Sequence, residues 1–395
     1  MGRNNGTIMF VYQTYDVKDR ITITYENRMI FDSGCVGTED EQQTPVTFSG
    51  QSQELRVDVE PNCDGTTSTG WYFSVPCLPV CSSSKDNSMV HLMSDQTPIQ
   101  DGGTIYITDE PQMPPLTATY CVDPNTPTTI NWNFKLDYNY VVCKNSAAGH
   151  DCSVKYNRNC SFSYQNDAPT WDIIQEFGAK ISGGSATLTW NDSNSNSGTI
   201  RFKILGTNPS RSAVQNYISS QSPPWYSVYI AQWESRYIQF DTSTKLPMHS
   251  FDFGYGLYQL TVPEPKCDDL WNWKFSVDTG ITVIYQKVSI ASDWMIRQRG
   301  QAFNDTGHAV PIPCHKVQNC VFQEGTNEVI DDAVAIKAFN GATHHYCAWN
   351  NAQKCWYFVE KADNQNDYVK DVCGELPSTS NSCPSPDPYA GNLCP

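Results

Sequence analysis

Basic side chains are scarce in this sequence. Lys and Arg together number 26 among 395 residues, against 42 Asp and Glu, and the formal net charge is −16. Binding to nucleic acid requires clustered Lys and Arg that neutralise phosphates, and anionic membrane surfaces attract basic residues in the same way. The sequence therefore predicts no nucleic-acid partner and gives no reason to expect attraction to a membrane.

Long apolar runs and metal-binding motifs are also missing. No stretch approaches the roughly 20 consecutive apolar residues that a membrane-spanning helix needs, so we expect no membrane insertion. The closely spaced cysteines, Cys77 with Cys81 and Cys152 with Cys160, have no histidine at the spacing of a zinc site. The sequence predicts neither a metal ion nor another cofactor.

Cysteine, in contrast, is abundant. The 16 cysteines form an even set spread through polar, turn-rich sequence, which favours structural disulfides and an oxidising compartment. We expect almost all of them to be oxidised, and we predict a secreted protein, extracellular or periplasmic. Asn-x-Ser/Thr triplets at Asn5, Asn159, Asn191 and Asn304 fit exposed extracellular loops.

The length and the changing pattern of the chain indicate several domains. Apolar and polar residues alternate over residues 1–80, which predicts an antiparallel β-sandwich module. Its segment GTIMFVYQTYDVKDRITITYENRMIF resembles a module attached to many secreted bacterial proteins, and both a spacer and a ligand-binding role remain open. Residues 81–115 are rich in Ser, Asp, Pro and Gly and predict a linker. We expect a small disulfide-stapled β-rich unit over residues 116–165 and a Cys- and Pro-rich tail over residues 376–395.

Helical spacing begins shortly after residue 166. In TWDIIQEFGAKI, the apolar residues Trp171, Ile174, Phe177 and Ile181 recur at helical intervals before a Gly-Gly stop. SRSAVQNYISS, WYSVYIAQWES and DDLWNWKFSVDTGITVIYQKVSIASDWMIRQ also predict helices, and SATLTW with GTIRFKILG predicts an inserted hairpin. The predicted fold class is a multidomain, disulfide-rich chain in which all-β sandwich-like modules precede a mainly α (α+β) domain over residues 166–375.

Four motifs follow one another in this predicted domain. They are Glu234-Ser235 in YIAQWES, residues 254–259 in GYGLYQ, residues 277–280 in VDTG, and Phe339-Asn340 in AIKAFNGATHHY. Together they resemble the catalytic core of soluble lytic transglycosylases and goose-type lysozymes, which implies a lysozyme-like domain over residues 166–375. Tyr258 stands where that family has Met, and Phe339 where it has a Tyr able to donate a hydrogen bond to the acid.

The resemblance implies cleavage of the β-1,4 MurNAc-GlcNAc bond in the glycan strands of bacterial peptidoglycan, with Glu234 as the catalytic acid of a lytic transglycosylase. Tyr229, Ile230 and Trp233 on the same helix offer apolar walls that would keep such a carboxyl protonated, whereas an ordinary helix-end glutamate would be solvated. By the same resemblance, the substrate-binding residues are Ser235, Gly254, Tyr255, Gly256, Tyr258, Gln259, Phe339, Asn340 and His344.

The number of carboxylates separates two reactions. A transglycosylase needs one, because the muramic 6-hydroxyl closes a 1,6-anhydro ring, whereas a hydrolysing lysozyme needs a second carboxylate to position water. Asp241 and Asp252 lie between Glu234 and the glycine turn, and each either positions that water or forms a turn with nearby backbone.

Two other functions remain open. The first is a lysozyme-like glycan-binding or structural component of an extracellular appendage or injection apparatus, with weak or no catalysis, within a larger secreted or surface assembly. The second is an unrelated cysteine-rich adhesin.

Overall fold

The computed structural model describes the chain outside residues 1–4, 53, 66–68, 76–89, 96, 122–128, 147–148, 251–252, 342–344, 360–366 and 379–380. The described residues form twenty β-strands, six α-helices and two short 3-10 turns. None of these helices is long and apolar enough to cross a membrane. Strands dominate the first half of the chain and helices the second, which confirms the coarse order predicted from the sequence.

The first β-unit spans residues 5–74. Its strands are β1 (Asn5–Gln13), β2 (Tyr15–Tyr25), β3 (Arg28–Asp32), β4 (Val36–Thr38), β5 (Gln42–Ser49), β6 (Arg56–Glu60) and β7 (Tyr72–Ser74). One sheet has the order β5-β1-β7, and the other has the order β3-β2-β4 with β6 also paired to β2. Because alternate side chains of a strand point to opposite faces, inward residues of both sheets form one core around Phe10, Ile23 and Val46.

The second β-unit spans residues 90–205. Its strands are β8 (Val90–Ser94), β9 (Thr97–Pro98), β10 (Gly103–Tyr106), β11 (Thr117–Tyr120), β12 (Ile130–Ser146), β13 (Gly149–Asn166), β14 (Thr170–Asp172), β15 (Gly184–Asp192) and β16 (Ser197–Leu205). They form two sheets, with the orders β14-β11-β8-β9 and β10-β16-β15-β12-β13. Both sheets contribute to a core that includes Leu92, Phe134 and Leu188.

The predicted linker over residues 81–115 is wrong for its described part. Residues 90–106 contain β8, β9 and β10, and Leu92, Ile99 and Ile107 are buried in the core of the second β-unit. The Ser, Asp, Pro and Gly residues that suggested a linker form the turns between very short strands. Strands β8 and β9 belong to one sheet of the second β-unit, and β10 belongs to the other.

The predicted helical start near Trp171 is also wrong. The predicted hairpin exists, as β15 pairs with β16, but it continues the second β-unit instead of interrupting a helical domain. TWDIIQEF forms strand β14 followed by a 3-10 turn, Ile173–Phe177, which ends where Gly178 takes a φ of 55°. Trp171 and Phe177 are buried in the core of the second β-unit. The spacing of these apolar residues therefore reflects packing against the sheets and not an α-helix.

The helical unit follows from residue 211. Its helices are α1 (Arg211–Ser220), α2 (Ser227–Ser235), α3 (Cys267–Trp271), α4 (Trp273–Thr306), α5 (Ile330–Asn340) and α6 (Tyr368–Gly374). Two small hairpins lie among them, β17 (His315–Val317) with β18 (Cys320–Phe322) and β19 (Cys347–Asn350) with β20 (Cys355–Phe358). Helix α1 begins as predicted, because the Ser210 side chain accepts a hydrogen bond from the Ala213 N–H.

Disulfide bonds fasten the helical unit and join it to the second β-unit. The described bonds are Cys35–Cys63, Cys160–Cys267, Cys314–Cys383, Cys320–Cys373 and Cys355–Cys394. Two of them attach the predicted tail over residues 376–395 to the helical unit. These bonds are the feature expected in an oxidising compartment.

Among the described residues, Cys347 is a free thiol, which is compatible with the expectation that almost all, rather than all, of the cysteines are oxidised. It is fully buried, and this burial raises the pKa of the thiol well above its usual value. A buried, protonated thiol is a small apolar side chain of low reactivity.

Half-buried His315 makes stability depend on pH. Its ring stacks on Phe358 with centroids 4.0 Å apart, and Nε2 lies 3.1 Å from the Tyr346 hydroxyl. Burial lowers the pKa of His315 from 6.5 to about 4, so the unfolded chain takes up this proton first as the pH falls. The stability that neutral His315 contributes is therefore present above pH 6.5 and is lost on acidification toward pH 4.

As the pH is lowered from 6.5 to about 4, we expect the free energy of unfolding to fall in the wild type and to fall less in His315→Gln. Urea titrations at several pH values measure both. Equal pH slopes for the two proteins would show that His315 is not responsible.

Candidate functional site

Glu234 lies at the end of helix α2, in the position predicted for the catalytic acid. The helix stops at Ser235 because Arg236 and Tyr237 take left-handed φ values of 58° and 63°. Glu234 is half-buried, and its Oε1 accepts a hydrogen bond of 2.5 Å from the Tyr368 hydroxyl. The carboxylate is therefore held in place by a partner 134 residues away in the chain.

Tyr368 opens the short helix α6. Its side chain is 3% exposed, and burial together with the Glu234 carboxylate holds its pKa well above the usual value. The phenol therefore keeps its proton and remains a donor to Glu234. Sequence reasoning missed this residue because it looked for the hydroxyl at position 339, whereas a Tyr at the start of the apolar stretch YVKDVC was a usable signal.

Glu375, at the C-terminal end of α6, connects this helix to α2. Its Oε1 pairs with Arg236 Nη1 at 2.8 Å, and its Oε2 accepts a hydrogen bond from the Gln232 amide. The disulfide from Cys373 to Cys320 fixes the same end of the helix to β18. These links hold the C-terminal end of α6, and the hydrogen bond to Glu234 holds its first residue, Tyr368.

Ser235 attaches the helix end to the glycine turn. Its hydroxyl donates to the Leu257 carbonyl at 2.8 Å and contacts the Ala231 carbonyl at 3.1 Å, and the residue is 3% exposed. The Leu257 N–H in turn donates to the Ser276 hydroxyl at 3.2 Å. Ser235 was predicted to bind substrate, but its burial gives it a positioning role instead.

The glycine turn, residues 254–260, is closed by its own backbone. Tyr255 and Leu260 exchange two N–H to carbonyl hydrogen bonds, and Gly256 takes a φ of 72° that favours glycine. At Gly254, a Cβ atom would lie 2.4 Å from the Gln259 carbonyl oxygen, so no larger residue fits without a shift. Both predicted glycines are therefore required by the turn itself.

Gln259 uses its side chain inside the turn. Its Nε2 donates to the Gly256 carbonyl at 2.7 Å, while Oε1 is buried and has no partner among the described residues. The predicted contact of this amide with a substrate acetamido group is therefore limited to Oε1.

Tyr258 is buried against helix α4. A Cβ atom at Gly280 would lie 2.1 Å from the Tyr258 ring, so only glycine allows the ring to pack there. On the other side, the Tyr258 and Phe339 ring centroids are 6.3 Å apart. The glycine turn, the 277–280 motif and the 339–340 motif thus meet around one tyrosine. Tyr255 is equally buried, which places both tyrosines in the core and corrects their prediction as substrate contacts.

No protein-family model matches this sequence. No curated protein is significantly similar to it either. The function is therefore inferred from the arrangement of the residues.

Asp241 forms a turn. Its Oδ1 accepts hydrogen bonds from the N–H and hydroxyl groups of both Ser243 and Thr244, and these bonds hold its pKa well below the usual value. This arrangement favours the turn-forming alternative over the positioning of water. Asn340 is the exposed last residue of α5, whereas Asp252 and His344 lie outside the described residues. Among the residues that the structure describes, no group of three His, Cys, Asp or Glu side chains is arranged to hold a metal ion.

Proposed function

We propose that this chain cleaves the β-1,4 MurNAc-GlcNAc bonds of bacterial peptidoglycan, with Glu234 as the general acid. The observation that carries the proposal is the convergence of four separate motifs near one carboxylate. Ser235 bonds to the glycine turn, Tyr258 of that turn packs on Gly280 and Phe339, and Tyr368 bonds to Glu234. A glutamate that only ended a solvated surface helix would need none of these contacts.

The proposed reaction uses one carboxyl group. Glu234 donates its proton to the glycosidic oxygen as the bond from that oxygen to the sugar C1 breaks. The muramic 6-hydroxyl oxygen then bonds to C1 and returns its proton to Glu234, which leaves a 1,6-anhydro sugar and restores the acid. Asp241 is occupied by its own turn, so it does not serve as the second carboxylate that hydrolysis would require.

Removal of the Tyr368 hydroxyl should impair catalysis without disrupting the fold. Tyr368→Phe keeps the buried ring but deletes a hydrogen bond to a carboxylate, an interaction of about 1.5–3 kcal/mol. We expect kcat on isolated peptidoglycan to fall about tenfold or more, since 1.4 kcal/mol corresponds to a factor of ten. The pH–rate profile should also move to higher pH, because the carboxylate loses a donor that favours its charged form.

Tyr25→Phe is the matched control, because Tyr25 is as buried as Tyr368 and its hydroxyl donates to the Ser52 carbonyl at 2.7 Å in the first β-unit. It should lower stability and leave kcat unchanged. An unaltered kcat and pH profile in Tyr368→Phe would show that this hydroxyl does not serve Glu234.

A second candidate is a glycan-binding component without catalysis. Phe339, which lacks the hydroxyl of the resembled family, and the buried Tyr258 beside it favour this alternative. It predicts that the protein binds peptidoglycan and releases no fragments. Under either candidate, we propose a secreted protein whose partner is the glycan strand.

A further inference from the structure

A long groove crosses the second β-unit, in a different structural unit from Glu234. Its larger hollow, about 910 Å³, lies between β8–β9 of one sheet and β15–β16 of the other, with Trp190, Asn196 and Thr199 in its lining. A smaller hollow of about 520 Å³ is lined by Thr104, Tyr106 and neighbouring residues. Both hollows are lined by Pro98, Ile99 and Gln100, so they adjoin at this segment.

Tyr106 lines the smaller hollow and Trp190 lines the larger one, and both side chains are partly exposed. Tyr106 is 49% exposed, and Trp190 is half-buried. The indole lies directly against Gly198 of the paired strand, where a Cβ atom would approach Trp190 Nε1 to 2.6 Å. Glycine at position 198 is therefore what allows the indole to adopt its place in the wall of the hollow.

The rim beside Trp190 is rigid. Asp192 accepts hydrogen bonds from the Asn194 N–H at 2.9 Å and from the Asn196 N–H and side-chain amide at 2.8 Å, and also from the Tyr120 hydroxyl. The turn that carries Asn196 into the lining is thus fixed before any ligand arrives. A fixed wall reduces the entropy that ligand binding would otherwise lose.

The lining disfavours anionic ligands. Among the described residues of the lining there is no Lys or Arg, and two are acidic, Asp95 and Asp101. Nucleic acids and other polyanions are therefore disfavoured. The remaining polar side chains are the His91 imidazole, amides and hydroxyls, all of which can donate and accept hydrogen bonds.

We infer that this groove binds a neutral oligosaccharide chain. A sugar ring has an apolar face that stacks on an indole or phenol and a rim of hydroxyls that bonds to amide and hydroxyl side chains. The combined size of the hollows suits a chain of several rings rather than one. The choice of an N-acetylglucosamine polymer as ligand rests on the proposed function. The inference that the groove binds a sugar chain does not depend on it.

The test is calorimetric titration of the full-length Glu234→Gln protein with chitohexaose, which this variant should not cleave. In that background, Trp190→Ala and Tyr106→Ala should each weaken binding about tenfold, as expected for the loss of one stacking ring. Gly198→Ala should weaken it as well, because the added Cβ displaces the indole without removing it. Tyr389→Ala, a similarly exposed tyrosine near the C-terminus, should bind like the parent.

Tyr106 is exposed, so its variant tests the inference even if Trp190→Ala fails to fold. Unchanged affinity in Tyr106→Ala and Gly198→Ala, or no binding by the parent, would overturn the inference. Failure of the proposed function gives a different result, in which wild type binds chitohexaose through the groove but releases no fragments from peptidoglycan.

Discussion

Glu234→Gln should abolish cleavage of peptidoglycan and leave the fold intact. The amide preserves the size of the side chain and still accepts the hydrogen bond from Tyr368, but it cannot deliver a proton. General-acid help is typically worth about 10² to 10⁴ in rate, so release of soluble fragments from isolated sacculi should fall by at least that factor. The melting temperature should be unchanged or slightly raised, because a half-buried carboxyl is replaced by a neutral group.

Asp241→Asn is the matched control for this substitution. Its carboxylate lies on the segment that follows α2, but all of its described hydrogen bonds are within its own turn. We expect activity close to wild type and a modest loss of stability. If Asp241→Asn were as inactive as Glu234→Gln, a second carboxylate would take part and the reaction would be hydrolysis.

Deleting the disulfide between Cys320 and Cys373 should have the second largest effect. The bond closes a chain segment with a sequence separation of 53 residues, and loop-closure entropy gives about 4 kcal/mol for a loop of that length. Cys320→Ala/Cys373→Ala should therefore unfold at lower denaturant concentration. It should also lose activity while still folded, because α6 carries Tyr368 and this bond fixes α6 to β18.

The bond between Cys35 and Cys63 provides the comparison. It lies in the first β-unit and has a sequence separation of 28 residues. Cys35→Ala/Cys63→Ala should destabilise that unit without changing kcat. If both double variants kept full activity after correction for the folded fraction, α6 would have no role in positioning Glu234.

Local patterns in the sequence were sufficient to predict several elements. The Ser210 cap and the helical spacing after it predict α1, and SATLTW with GTIRFKILG predicts β15 and β16. These patterns do not show which distant strand or helix each predicted strand or helix packs against. The hairpin joins β12 and β10 through contacts that depend on distant segments, so its membership of the second β-unit was not accessible from its own residues.

In the candidate site, too, local motifs could be predicted from the sequence and long-range contacts could not. The motif order indicated Glu234 and the glycine turn, and φ values at Gly256 explain why glycine is needed there. The buried position of Ser235 could not be predicted, because its hydroxyl bonds to the Leu257 carbonyl 22 residues away, whereas Gln259 bonds locally to Gly256 and its predicted contact through Oε1 stays a prediction. Tyr368 was missed for a related reason, since 134 residues separate it from Glu234.

The most direct test of the account is mass spectrometry of the products released when the full-length wild type is incubated with purified peptidoglycan. The proposed reaction predicts disaccharide-peptide fragments that end in 1,6-anhydro-MurNAc and are lighter by one water than the products of hydrolysis. Fragments ending in reducing MurNAc would retain Glu234 as an acid but replace the transglycosylase route. Absence of any glycan fragments from a folded protein that binds the sacculi would contradict the central claim and leave a glycan-binding protein.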